Sequence, residues 1–140
     1  MSIWKKPFTL EEISLSRTKT MVDHLGIEFT EIGEDYLSAK MPVDHRTCQP
    51  MGILHGGAST ALAETVASVA ANCCIDQKTQ VCVGLEINTS HVKMVKAGFV
   101  KAIARPWHLG RSSQLWEIKI IDEKDNVISI SRLRLAILDK

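Results

Sequence analysis

The stretch Gln49-Pro50-Met51-Gly52-Ile53-Leu54-His55-Gly56-Gly57-Ala58-Ser59-Thr60-Ala61-Leu62-Ala63-Glu64-Thr65-Val66-Ala67-Ser68 decides the reading of this chain. Its first half has the Pro and Gly content of a loop, which begins at Asp44. From about Leu54 to Cys74 the pattern turns helical: Ala58, Leu62, Val66, Val69 and Cys73 recur at three- and four-residue spacing. A helix of about 20 residues spans about 30 Å, enough to cross a small domain. Six alanines between Ala58 and Ala71 keep it slim, so a sheet can wrap closely around it.

On a wheel of about 100° per residue, Thr60, Glu64 and Ser68 form one polar stripe opposite Leu62, Val66 and Val69. The stripe's neighbours, Gly57, Ala61, Ala67 and Ala71, are all small. Glu64 is the only Asp, Glu, Lys or Arg between Arg46 and Asp76. By periodicity alone it is a surface glutamate. Its solitary place in so apolar a helix predicts partial desolvation, which raises a carboxylate's pKa toward that of a useful base. At the helix start, His55-Gly56-Gly57 leaves backbone amides without intrahelical partners at the positive end of the helix dipole. Such amides suit an oxygen that gains charge during attack on a carbonyl. The plainer alternative is a tight loop-to-helix turn, with His55 as a cap and Gln49 an ordinary loop residue.

Outward from this segment, Thr9 with Glu11 and Glu12 marks the start of a helix expected to run to about Val22. Leu37, Ala39, Met41 and Val43 alternate with polar residues as a half-buried strand. After Asp76-Gln77-Lys78-Thr79, four strands are expected. Val81, Val83, Leu85 and Ile87 form the apolar face of the first. Phe99–Trp107 is the second, and Gln114, Trp116, Ile118 and Ile120 line the third. A polar turn at Asp122–Asn126 leads to the fourth, Val127–Leu138, where a phase change after Ile130 predicts a bulge. Short connections predict an antiparallel meander of these four. The fold class is therefore α+β, one long helix on a curved antiparallel sheet. The sheet's other face needs cover, which predicts oligomers.

The chain has 140 residues, 45% hydrophobic and 24% charged, with a formal net charge of +1. That suits one domain, residues 1–140, and supplies no global field for nucleic acid or an anionic membrane. No apolar core follows Lys5 and Lys6, and no stretch reaches bilayer length, so a cytoplasmic protein is expected. Cys48, Cys73, Cys74 and Cys82 show no Cys-x-x-Cys pair and read as reduced, mostly buried thiols. The five histidines have no zinc spacing, so no metal is expected. A phosphate loop and a Gly-x-Ser-x-Gly elbow are both absent.

Gln49-Pro50-Met51-Gly52-Ile53-Leu54-His55-Gly56-Gly57 followed by Ala63-Glu64-Thr65 resembles the signature of hotdog-fold acyl-CoA thioesterases. The resemblance is strongest to the branch acting on aromatic acyl-CoAs such as 4-hydroxybenzoyl-CoA and 1,4-dihydroxy-2-naphthoyl-CoA. It extends to Met41-Pro42-Val43-Asp44, Val83-Gly84-Leu85-Glu86-Ile87-Asn88 and Leu109-Gly110-Arg111. It implies five or six antiparallel strands around the helix, and edge-to-edge dimers that pair into tetramers. Active sites would lie between protomers. Gln49, His55 and the Gly56 amide would come from one chain, Glu64 and Ser68 from the other. Gln49 and Gly56 would polarise the thioester carbonyl, His55 would position substrate or water, and Ser68 would assist Glu64. Glu64 would activate water or attack the carbonyl itself. Asn88, Ser90, His91, Gly110, Arg111 and Ser112 would hold coenzyme A, which is part of the substrate, so no separate cofactor is implied. Two alternatives keep the fold: an acyl-thioester dehydratase using His55 and Glu64, and a non-catalytic acyl-CoA-binding module.

Overall fold

The computed structural model describes residues 1–15 and 17–140. In chain order it holds α1 (Leu10–Leu15), α2 (Met21–His24), β1 (Glu28–Ile32), β2 (Leu37–Pro42), α3 (Gly56–Cys73), β3 (Gln80–His91), β4 (Phe99–Leu109), β5 (Ser113–Ile121) and β6 (Val127–Asp139). The six strands form one antiparallel sheet in the order β1-β2-β4-β5-β6-β3. Strands β2, β3, β4, β5 and β6 pack against α3.

The core is the seam between α3 and the concave sheet face. Leu62, Ala63, Val66, Ala67, Ala70 and Ala71 are buried on the helix, against Leu37, Ala39 and Met41 of β2 and Val100, Ala102 and Ala104 of β4. The small side chains of β4 and α3 face one another, which brings backbone close to backbone. Trp116, Ile118 and Ile120 of β5 and Leu133 and Leu135 of β6 complete the seam. The Trp116 ring is wholly buried, and its Nε1–H donates to Gln114 Oε1 at 2.8 Å. Gln114 Nε2 in turn donates to the Ala71 carbonyl at 3.4 Å. A buried indole N–H thus has its partner, and that partner is tied to the helix.

Several expectations are corrected. The N-terminal helix predicted to reach Val22 takes in Ser16, which lies outside the described residues, and on either side of it are two short helices. Its start is as expected. Glu12 N donates to Thr9 Oγ1 at 3.2 Å and Thr9 N to Glu12 Oε2 at 2.7 Å, a reciprocal capping box. Lys19 takes a positive φ of 60°, which no helix continues through. The strand β1 was not expected. Its Glu-Phe-Thr-Glu-Ile sequence has a register shift between Phe29 and Glu31 that spoils the alternation.

The meander holds for β4, β5 and β6 only. β3 pairs with β6 rather than β4, because residues 92–98 between β3 and β4 form a crossing connection instead of a hairpin turn. The apolar face predicted for β3 is also corrected. Register shifts between Gly84 and Glu86, which leaves Leu85 as an extra residue. Cys82 and Gly84 face α3 before the bulge, and Ile87, Thr89 and His91 face it after. Val83 and Leu85, 37% and 55% exposed, point away from the helix at the open edge of the sheet. In β6 the irregularity sits at Ile128, not beyond Ile130. The pairing skips from Ser129 to Val127, and Ser129 and Ser131 take the inward positions while Ile130 faces out.

Candidate active site

The loop before α3 is built by its own hydrogen bonds. Thr47 Oγ1 donates to the Pro42 carbonyl at 2.7 Å and accepts from Asp44 N at 3.1 Å. Cys48 and Leu54 form an isolated antiparallel bridge, with Gln49 N donating to Ile53 O at 2.8 Å and His55 N to Thr47 O at 2.8 Å. Gly52 closes this small hairpin at φ 77°, a conformation that disfavours any side chain. Leu54 N donates to Val95 O at 2.7 Å, which pins the loop to the connection after β3.

His55 is the N-cap of α3. Its Nδ1 accepts the Gly57 N–H at 2.7 Å, while its carbonyl accepts from Ala58 and Ser59 at 3.0 and 3.2 Å. The Gly56 N–H is left without a partner among the described residues. The cap therefore satisfies its neighbours and leaves one amide free at the positive end of the helix. A cap through Nδ1 requires an unprotonated nitrogen there and puts the ring's proton on Nε2.

Gln49 is oriented by the same loop. Its Oε1 accepts the Met51 N–H, so both protons of its NH₂ group remain to donate elsewhere. Gln49 and Gly56 line one cleft of about 300 Å³ with Ser59, His91, Lys93 and Met94. His91 stands against Gly56: a β-carbon on Gly56 would lie 2.8 Å from His91 Nε2. From here a chain of hydroxyls ties the helix start to the sheet. Thr60 Oγ1 lies 3.0 Å from the Gly56 carbonyl and 3.1 Å from Thr89 Oγ1, which lies 2.8 Å from Ser131 Oγ.

Glu64 and Ser68 lie elsewhere. They share a groove of about 360 Å³ with Met21, Val22, Ala61 and Val69. Eight residues separate Gly56 from Glu64, roughly 12 Å along the helix. Gln49, Gly56 and His91 thus gather at the helix start, and Glu64 and Ser68 lie two turns on. The Glu64 carboxylate lies over Gly84 of β3. Its side chain is exposed, so the partial desolvation expected for it is not met. The physical reason is the open β3 edge beside it.

The six residues expected to hold coenzyme A do not converge. His91 faces the helix, whereas Asn88 and Ser90 lie on the opposite face of β3 by alternation. Gly110, Arg111 and Ser112 form the β4–β5 turn, where Gly110 N donates to Ser113 O and Ile137 N to Ser112 O, both at 2.9 Å. That turn sits beside Ala136, while His91 pairs with Ser129, seven residues and roughly 23 Å away along β6. Sequence reasoning missed Ser59, Lys93 and Met94 in the first cleft and Arg17, Met21 and Val22 in the second. Lys93 and Met94 lie on a connection without periodicity, and only its Gly98 offers a local signal. Among the described residues, no three His, Cys, Asp or Glu side chains are placed to hold a metal ion.

The chain matches the thioesterase superfamily over residues 51–129. It is 51% identical over 136 residues to the proofreading thioesterase EntH of Cronobacter sakazakii, covering 97% of this chain and 98% of that one. It is 48% identical over 136 residues to the 1,4-dihydroxy-2-naphthoyl-CoA hydrolase of Escherichia coli, covering 97% and 99%. Among solved structures, a thioesterase from Haemophilus influenzae is 47% identical with a TM-score of 0.95, covering 98% of this chain and 95% of that one. A thioesterase from Pseudomonas aeruginosa, crystallised with a glutamine-to-alanine substitution, is 40% identical with a TM-score of 0.98, covering 99% and 100%. With the hotdog topology and these relatives together, the chain belongs to the thioesterase superfamily and is a thioester hydrolase.

Proposed function

We propose that this hydrolase acts on an aromatic acyl-CoA, at a site completed by two protomers. The observation that carries the reading is the unpaired Gly56 amide, which shares a cleft with the free NH₂ group of Gln49. Two donors converging on one oxygen are what a thioester carbonyl needs as it becomes an oxyanion. The carboxylate they lack is Glu64 of a second chain. In this scheme Glu64 takes a proton from water as the water oxygen bonds to the carbonyl carbon, or else attacks that carbon itself. Negative charge collects on the oxygen held by Gly56 and Gln49. Collapse breaks the C–S bond, and the coenzyme A thiolate leaves and takes up a proton. On the route where Glu64 itself attacks, water then cleaves the acyl anhydride so formed, releasing the acid and restoring the Glu64 carboxylate. His55 offers Nε2–H to substrate or water, and Ser68 supports Glu64.

The open β3 edge supports pairing with a second copy. A strand edge bearing exposed Val83 and Leu85 beside unpaired backbone groups is a template for another strand. Covering it would also desolvate Glu64. A homotetramer in the cytoplasm, with coenzyme A held through Asn88, Ser90, His91, Gly110, Arg111 and Ser112 from different chains, completes the proposal. No helix among the described residues is long and apolar enough to cross a membrane. The aromatic acyl group draws on the likeness to the naphthoyl-CoA hydrolase.

The test is a thiol-release screen over aryl-, short- and long-chain acyl-CoAs with the wild-type chain, Glu64→Gln and Glu64→Ala, beside a solution mass measurement. Aryl esters should turn over fastest, and both variants should fold yet lose nearly all turnover. Full activity of Glu64→Gln, or a monomer that hydrolyses at the wild-type rate, overturns the reading.

A further inference from the structure

One buried hydroxyl serves nothing in the fold itself. Among the described residues, Ser129 Oγ is the buried side-chain oxygen that has no hydrogen-bond partner. Ser131, two residues on in β6, is bonded to Thr89 Oγ1 at 2.8 Å, and Ser38 of β2 to Thr30 Oγ1 at 3.0 Å. Ser129 is as fully buried as either. A hydroxyl left so costs stability that an alanine would not, so packing does not account for a serine here.

Its surroundings lead to the cleft at Gly56. The preceding residue, Ile128, lines that cleft, and its carbonyl accepts from Val92 N at 2.8 Å and Lys93 N at 3.2 Å. Opposite Ser129 on β3 stands His91, and both occupy the sheet face toward α3. The register from Thr89–Ser131 to His91–Ser129 is unbroken, so the two pairs, two residues apart, are of the same kind. The first pair is joined through its hydroxyls. The second sets an imidazole opposite a hydroxyl, with β-carbons about 4.5–5.5 Å apart, as directly opposed residues have. The His91 ring makes no hydrogen bond among the described residues, and its Nε2–Cε1 edge faces Gly56. Nδ1 is the nitrogen left over.

We infer that Ser129 is a positioning residue, whose hydroxyl donates to Nδ1 of His91 when substrate enters and so holds the imidazole beside Gly56 with Nε2–H turned into the cleft. The inference rests on the reading above, which brings the thioester to this cleft. Ser129 touches no substrate and acts through His91. A histidine exposed on an edge strand, as His91 is, has several rotamers and two tautomers open to it. A bond from a fully buried serine selects one of each. Less ordering is then left to be done when substrate binds.

The experiment measures benzoyl-CoA hydrolysis by the full chain as wild type, Ser129→Ala, His91→Ala and the double variant, with thermal melts beside it. Ser129→Ala should melt no lower than the wild type, because it removes an unsatisfied hydroxyl. It should raise KM about three- to tenfold, the worth of one hydrogen bond. The change should fall on KM rather than kcat, because His91 holds substrate alike in ground and transition states. In the His91→Ala background, Ser129→Ala should change KM no further, since the group it acts through is gone. Ser129→Thr and Ser129→Val match in shape and differ in the hydroxyl. The threonine variant should keep the lower KM, and this pair decides the matter if Ser129→Ala does not fold. An unchanged KM in Ser129→Ala, or one that rises equally with and without His91, overturns the inference and leaves the hydrolase reading intact. Failure of the wild type to release thiol from benzoyl-CoA removes the reading above and this inference with it.

Discussion

Glu64 and Gly84 are matched: a β-carbon on Gly84 would lie 2.9 Å from Glu64 Oε1. The carboxylate rests on β3 where the strand has no side chain, one residue before the bulge. Gly84 has no positive φ, so alanine suits its backbone, and the atom it would displace is the far end of a flexible chain. Gly84→Ala should therefore fold as the wild type does while shifting the carboxylate. A misplacement near 1 Å can cost about 10²-fold in rate, so thiol release should drop by about one to two orders of magnitude with the melting temperature nearly unchanged. Wild-type turnover in Gly84→Ala would mean that Glu64 does not act from this position.

His55 separates a structural role from a chemical one. Its Nδ1 caps Gly57 N, so His55→Ala should lose about 1 kcal/mol of stability, as helix caps typically do. Asparagine is a strong N-cap, and His55→Asn should recover most of that loss in denaturant melts. It carries no imidazole Nε2–H, so it should not recover turnover. Recovery of both would reduce His55 to a cap.

The fold was legible where one face of an element is buried and its register uninterrupted. Gln114, Trp116, Ile118 and Ile120 line the core as their spacing implies, and so do Leu62, Val66 and Val69. It was not legible where a bulge intervenes. Val83 and Leu85 look like a core face because alternation across Val81–Ile87 is unbroken in sequence. The extra residue at Leu85 can be seen only in the pairing with β6. The candidate site divides the same way. Glu64 stood out as the one charged residue in an apolar helix and Gly56 as part of the Gly-Gly pair at its start, whereas Gln49 and His55 were singled out by the resemblance. Gly84 did not, because its place against Glu64 arises from what another element sets beside it.

The Trp116–Gln114–Ala71 chain predicts a stability effect away from the site. Gln114→Ala leaves a fully buried indole N–H without its acceptor. An unsatisfied buried donor costs about 1–3 kcal/mol, so the midpoint of urea unfolding should fall by that equivalent. Gln114→Glu keeps an acceptor and should lose less of the Trp116 contact, although it buries a charge. If Gln114→Ala melts with the wild type, the hydrogen bond is energetically silent.

The buried thiols predict how stability responds to alkali. Burial pushes Cys73 and Cys82 up to about 11 and Cys74 to about 12, from an ordinary value of 9.0. Each thiol therefore ionises in the unfolded chain before it does so in the folded one. Below about pH 8 both states hold the protons, and these groups have no effect on stability. As pH rises through 9, the unfolded state loses protons first and gains, so stability falls until the folded thiols ionise near 11 to 12. Melting temperature should accordingly decline between about pH 9 and 11, and less steeply in Cys82→Ala once its own stability loss is subtracted. The same three thiols should resist iodoacetamide at pH 8 in the native protein and react fully in urea, as mass spectrometry would count. Rapid native labelling of Cys73 or Cys82 would mean that the seam beneath α3 opens readily.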